Sequence, residues 1–169
     1  MVISPERKQS IDALVEGLQC YKTPSGFDYG SLAQRHTIAF VETSRVASSL
    51  AVRHNGQDYI FGAHHFVTAL RDYELAHEFG HVLLWHTDHA NSKTKRQTEA
   101  EADYFATKLT GMPHWKYRLI RIPEIVCQLL FNADPGFRYL IRSHLVEDVA
   151  SLITEWNEQH SRKAVSANQ

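Results

Sequence analysis

The segment Leu75–Leu84, L-A-H-E-F-G-H-V-L-L, constrains this chain more than any other stretch of it. His77 and His81 are four residues apart, and on an α-helix that spacing puts both imidazoles on one face, one turn apart. There they can reach a single tetrahedral ion. The same segment asks to be buried: Leu75, Phe79, Val82 and His86 share a face, and Ala76, Leu83 and Leu84 widen it. The pattern predicts a helix over about Leu70 to Trp85. Two histidines and Glu78 in so apolar a helix are costly without a partner, and a metal ion supplies one. Gly80 lowers helix propensity by about 1 kcal/mol relative to alanine, which points to a close approach by another element or by substrate.

Around this helix the chain reads as α+β and mostly helical. Ser4-Pro5-Glu6 combines a capping side chain, a proline suited to the first helical position and an acid at the positive end. Ile11, Leu14, Val15 and Leu18 then mark one face of a helix from Pro5 to about Gln19. Cys20 to Gly30 reads as a loop and Ser31 to Arg35 as a short helical piece. Three β-prone runs follow: Thr37–Val41, Val46–Arg53 and Tyr59–Phe61. The last two are joined through Asn55-Gly56, a strong hairpin signal. The expectation is a small three-stranded antiparallel sheet before the central helix, with an edge able to pair with an extended peptide.

Thr87 to Thr98 is polar and reads as a solvated loop. A second helix is expected from Glu99 to Leu109, with Ala102, Phe105, Ala106 and Leu109 inward and Gly111 and Pro113 as stop signals. Pro123–Phe131 reads as another short helix. Phe137, Leu140, Ile141, Leu145, Val149, Leu152, Ile153 and Trp156 repeat at helical spacing in a long amphipathic helix. No linker is long enough to separate domains. Residues 1–157 are expected to form one domain and 158–169 a disordered tail.

Composition narrows the class of function. The chain has 169 residues, 43% of them hydrophobic, and a formal charge of -1. That suits a folded domain with its own core and gives no support for direct nucleic-acid binding. Cys20 and Cys127 form no C-x-x-C pair, which favours a reducing compartment. No signal peptide is visible, and no run approaches the roughly 18 apolar residues of a membrane span. A cytoplasmic protein without membrane contact is the expectation. The 11 histidines weaken any argument from a lone one.

H-E-x-x-H on a helix is the zinc metallopeptidase arrangement, with two histidine ligands and a glutamate that serves as general base. A catalytic site needs a third protein ligand. Glu99, in E-A-E-A-D, is the best candidate. Asp103 lies four residues on, on the same face, and can accept a hydrogen bond from the outer nitrogen of His77 or His81, fixing its tautomer. Glu101 is expected to face solvent. His86 and His89 are weaker candidates, since His86 falls off the ligand face. The metzincin pattern is excluded because His81-Val82-Leu83-Leu84 lacks the required glycine. Peptide hydrolysis also needs a donor for the carbonyl oxygen. His114, directly after the second helix, leads that list, ahead of Tyr73, Tyr104 and Tyr117. Two other classes fit the same residues: a protein-binding module whose zinc is silent or regulatory, such as a repressor or toxin–antitoxin partner, and a structural helical protein.

L-A-H-E-F-G-H-V-L-L followed by E-A-E-A-D-Y-F-A-T-K-L and closed by Met112-Pro113 resembles the ImmA/IrrE family of metallopeptidases, over about Thr37 to Pro113. The resemblance implies a zincin-like fold with an N-terminal helix and a three-stranded sheet before the active helix. It implies zinc held by His77, His81 and Glu99, with Glu78 as base and Asp103 where asparagine is common. Known members cut helix-turn-helix repressor proteins, so it implies a protein substrate of that kind. The chain departs from the family after Pro113.

Overall fold

The computed structural model describes residues 3–24, 26–43, 46, 48–65, 67–88, 93–131 and 150–158, with backbone alone over 123–131. The chain groups into two compact units, Met1–Arg121 and Ile122–Gln169. The first carries the site and opens with α1 (Pro5–Leu18). Ser4 caps it by accepting from the Arg7 N–H, and its inward face is Ile11, Val15 and Leu18. A two-residue ladder of β1 (Lys22–Thr23) and β2 (Gly26–Phe27) lies within the expected loop. Then comes α2 (Tyr29–Arg35), capped by Asp28.

The three-stranded sheet is β3 (Ala39–Thr43), β4 (Leu50–His54) and β5 (Gln57–Ala63), in the order β3-β5-β4. It is mixed, which corrects the antiparallel expectation: β4 pairs with β5 antiparallel, but β3 pairs with β5 in parallel. Asn55 and Gly56, both at positive φ (49° and 79°), make the tight β4–β5 turn. Six residues separate β3 from β4 where two separate β4 from β5, and β3 takes the other side of β5. β5 is the central strand, and Tyr59 through Ala63 are buried.

Two helices hold the site. α3 (Thr68–Leu83) is inward along Leu70, Tyr73, Leu75, Ala76, Phe79 and Val82. α4 (Lys95–Thr110) starts one turn earlier than expected, because Thr94 and Gln97 form a capping box. It ends at Gly111, left-handed at φ 72°. The two helices pack closely at Gly80: a Cβ there would stand 3.0 Å from the Phe105 ring and 3.3 Å from the Ala102 backbone. The core beneath them joins Ile11, Leu32, Ile60, Leu75, Phe79 and Phe105, all fully buried.

α5 (His114–Phe131) begins well before Pro123 and its backbone stays helical through it, so the separate helix expected from Pro123 is its second half. Tyr117 is turned inward. In the second unit, residues 150–158 are helical and bury Leu152 and Ile153. The rest of the expected amphipathic helix, and residues 159–169 of the expected tail, lie outside the described residues, as does His89. Among the described residues no helix is long and apolar enough to cross a membrane.

Candidate metal centre

α3 aims two nitrogens at one point: His77 Nε2 and His81 Nε2 are 3.0 Å apart. α4 brings Glu99 to the same point, with Oε2 3.3 Å from His77 Nε2 and Oε1 3.8 Å from His81 Nε2. Donors around a tetrahedral zinc at about 2.0–2.1 Å stand about 3.3 Å from one another. The three observed separations bracket that value. Each residue can offer one ligand atom with all three inside 4.8 Å, and among the described residues this is the group of donors that meets that condition. The chemistry of two neutral imidazoles and a carboxylate suits zinc, so the residues fit the ion the motif implies.

The outer nitrogens decide whether the inner ones can ligate. Asp103 Oδ1 lies 3.0 Å from His77 Nδ1. The Nδ1–H donates to it, which leaves the Nε2 lone pair facing the centre. Burial lowers the His77 pKa, but the hydrogen bonds to Asp103 and Glu99 outweigh it and raise it to about 10. Burial, reinforced by the charge on His77, pushes His81 down to about 4. Without an ion His77 is therefore the protonated member of the pair, and a metal binding at its Nε2 would displace that proton. Glu78 is raised to about 7 by burial, against the pull of His77 and a hydrogen bond from the Ala51 backbone on β4.

His77, Glu78, Glu99 and Asp103 open into a cleft of about 300 Å3 shared with Glu74, His114, Tyr117 and Arg121. A somewhat larger cavity, of about 330 Å3, lies elsewhere, beside Ile3, Arg7 and Gln97, and contains none of the three donors. His114 lines the same cleft, with Nδ1 3.1 Å from the Tyr73 hydroxyl and 3.2 Å from Asp103 Oδ1. One oxygen of Asp103 thus touches both His77 and His114. Tyr73 and Tyr117 stack at 4.3 Å and both line the cleft. Tyr104 does not join them, since its hydroxyl bonds Asp12 of α1 at 3.0 Å.

Three features escape spacing arguments. Glu101 is buried, not solvent-facing, at 6% exposure. The side of α4 opposite Glu99 is covered: Arg7 of α1 and Lys93 both reach the Glu101 carboxylate at 2.7 Å. His86 is the second. Its Nδ1 is 3.2 Å from His81 Nδ1 and its Nε2 is 3.2 Å from Glu101 Oε2. Glu74, one turn before His77, was also missed. Its buried carboxylate meets His65 Nε2 at 2.8 Å, the Tyr117 hydroxyl at 2.9 Å and the Ser49 N–H at 3.2 Å. The only sequence signal for Glu74 was its spacing of three from His77 on a helix already known to face the site.

No family model, no curated protein and no solved structure matches this chain. The resemblance to ImmA/IrrE metallopeptidases stands on the motifs alone.

Proposed function

We propose that the chain is a zinc-dependent endopeptidase, with His77, His81 and Glu99 holding the ion. The observation that carries this is the convergence of donor atoms from three residues on two helices, with a half-buried Glu78 beside them. When bound, zinc would supply Lewis acidity, polarising a scissile carbonyl and acidifying water. Glu78 takes a proton from the attacking water as its oxygen bonds to the carbonyl carbon. It then delivers that proton to the amide nitrogen as the C–N bond breaks. A base held near 7 suits both halves of that transfer. His114, held through Nδ1 by Asp103 and the Tyr73 hydroxyl, offers Nε2–H to the carbonyl oxygen. The β4 edge, which already donates the Ala51 N–H to Glu78, is placed to align an extended peptide.

The motif resemblance favours a helix-turn-helix repressor as the protein cut. Metal analysis tests the centre. One zinc per chain is expected in the wild-type protein and none in Glu99→Ala. Glu78→Gln should keep the zinc and cleave a repressor or casein about 10²–10⁴-fold more slowly. A zinc-loaded Glu78→Gln protein that cleaves at the wild-type rate removes the base. Full zinc with no cleavage of any protein tried turns the reading toward a binding module.

A further inference from the structure

The backbone, not the helix face, brings His86 to the metal centre. α3 closes with the His86 N–H on the His81 carbonyl at 2.7 Å and the Trp85 N–H on the Val82 carbonyl at 3.0 Å. Trp85 between them is left-handed at φ 63°. This is the closure that glycine usually makes. It folds the chain back over the last turn, so that His86 lands beside the side chain of His81. The His86 side chain is 1% exposed, so its two ring nitrogens must find partners within the protein.

The partners leave one consistent arrangement of protons. Glu101 Oε2, 3.2 Å from His86 Nε2, can only accept, because Arg7 and Lys93 hold the carboxylate ionised. His86 therefore carries its proton on Nε2 and presents a lone pair at Nδ1. That lone pair faces His81 Nδ1 at 3.2 Å. His81 must then carry its own proton on Nδ1, and its Nε2 is left bare toward His77 and Glu99. The opposite tautomers would set a lone pair of His86 against an ionised carboxylate.

We propose that His86, oriented by Glu101, is the positioning residue that holds His81 in its ligating tautomer, as Asp103 does for His77. This rests on the metal centre proposed above and extends it to a residue outside the motif. It also ties the centre to α1 through Arg7.

Zinc affinity of the full chain, measured by chelator competition, tests it without recourse to catalysis. His86→Leu should bind zinc about 10–100-fold more weakly, the usual effect of losing such a partner. His86→Asn keeps an acceptor, Oδ1, on the atom that carries Nδ1, and should stay within about threefold of wild type. Thermal melting of the metal-free proteins reports packing separately. Wild-type affinity in His86→Leu overturns the proposal and leaves the centre standing. Equal losses in both variants also overturn it, because the acceptor would then not matter. A wild-type protein that takes up no zinc overturns both readings. Nitrogen-15 NMR of the zinc-loaded wild type checks the assignment even where a variant fails to fold. Protons on His81 Nδ1 and His86 Nε2 are expected, and the reverse for His86 refutes it.

Discussion

Asp103 is the residue whose two contacts separate the proposed metal binding from the proposed turnover. Its Oδ1 is 3.0 Å from His77 Nδ1 and 3.2 Å from His114 Nδ1. It therefore supports a metal ligand and the proposed oxyanion donor at once. His114→Ala removes only the second of these. It should leave zinc affinity near wild type while lowering kcat about 10²–10³-fold, read by steady-state kinetics beside chelator competition. Loss of zinc in that variant would place His114 in the ligand network instead. Asp103, like His77, His81 and Glu99, was legible from the chain because helical spacing alone puts it on the right face. His86 was not, since its place depends on a left-handed tryptophan that no local pattern signals. Glu101 was misread for a related reason. Spacing shows that it points away from Glu99, but not that Arg7 from α1 waits on that side.

The distance between α3 and α4 decides whether the three donors meet, and Gly80 sets it. A methyl group there must push against the Phe105 ring at 3.0 Å and the Ala102 backbone at 3.3 Å. The helix-propensity gain of alanine, about 1 kcal/mol, works against an overpacking cost of about 1–3 kcal/mol. Gly80→Ala should therefore lose about 1 kcal/mol of stability in urea denaturation. It should also bind zinc more weakly, because the shift moves Glu99 relative to both histidines. An unchanged affinity would mean that α4 yields without moving Glu99. The element order around this pair was readable, and so was the β4–β5 hairpin through Asn55-Gly56. The parallel pairing of β3 was not, since strand neighbours beyond a tight turn follow from the packing of the core. The early start of α5 was missed because Trp115 and Leu119 are exposed at 63% and 57%. An apolar face turned outward does not announce a helix packed on its other side.

Glu74 joins more of the first compact unit than any ligand does. From the middle of α3 it reaches Ser49 before β4, His65 after β5, and Tyr117 and Arg121 on α5. Burial raises its pKa, but the hydrogen bond from His65 and the charge of Arg121 prevail, and the carboxyl is held down at about 2. Its unfolded value is near 4.5. A folded-state value below the unfolded one stabilises the fold above the unfolded value. That contribution is lost as pH falls from about 4.5 through about 2, and amounts to roughly 3 kcal/mol at most. Glu101, also held at about 2 against its burial by Lys93, Arg7 and His86, adds to the same window. Metal-free protein isolates these carboxylates from proton competition at the zinc ligands. Urea midpoints with chelator at pH 7, 4.5 and 3 should fall with acid in the wild type. In Glu74→Gln the midpoint at pH 7 should already be lower, because His65 and Arg121 lose their anionic partner. The further fall toward pH 3 should be shallower, with the remaining slope belonging to Glu101. Parallel pH profiles for the two proteins would mean that Glu74 titrates in the fold as it does in the open chain, and that its partners do no more than fill space.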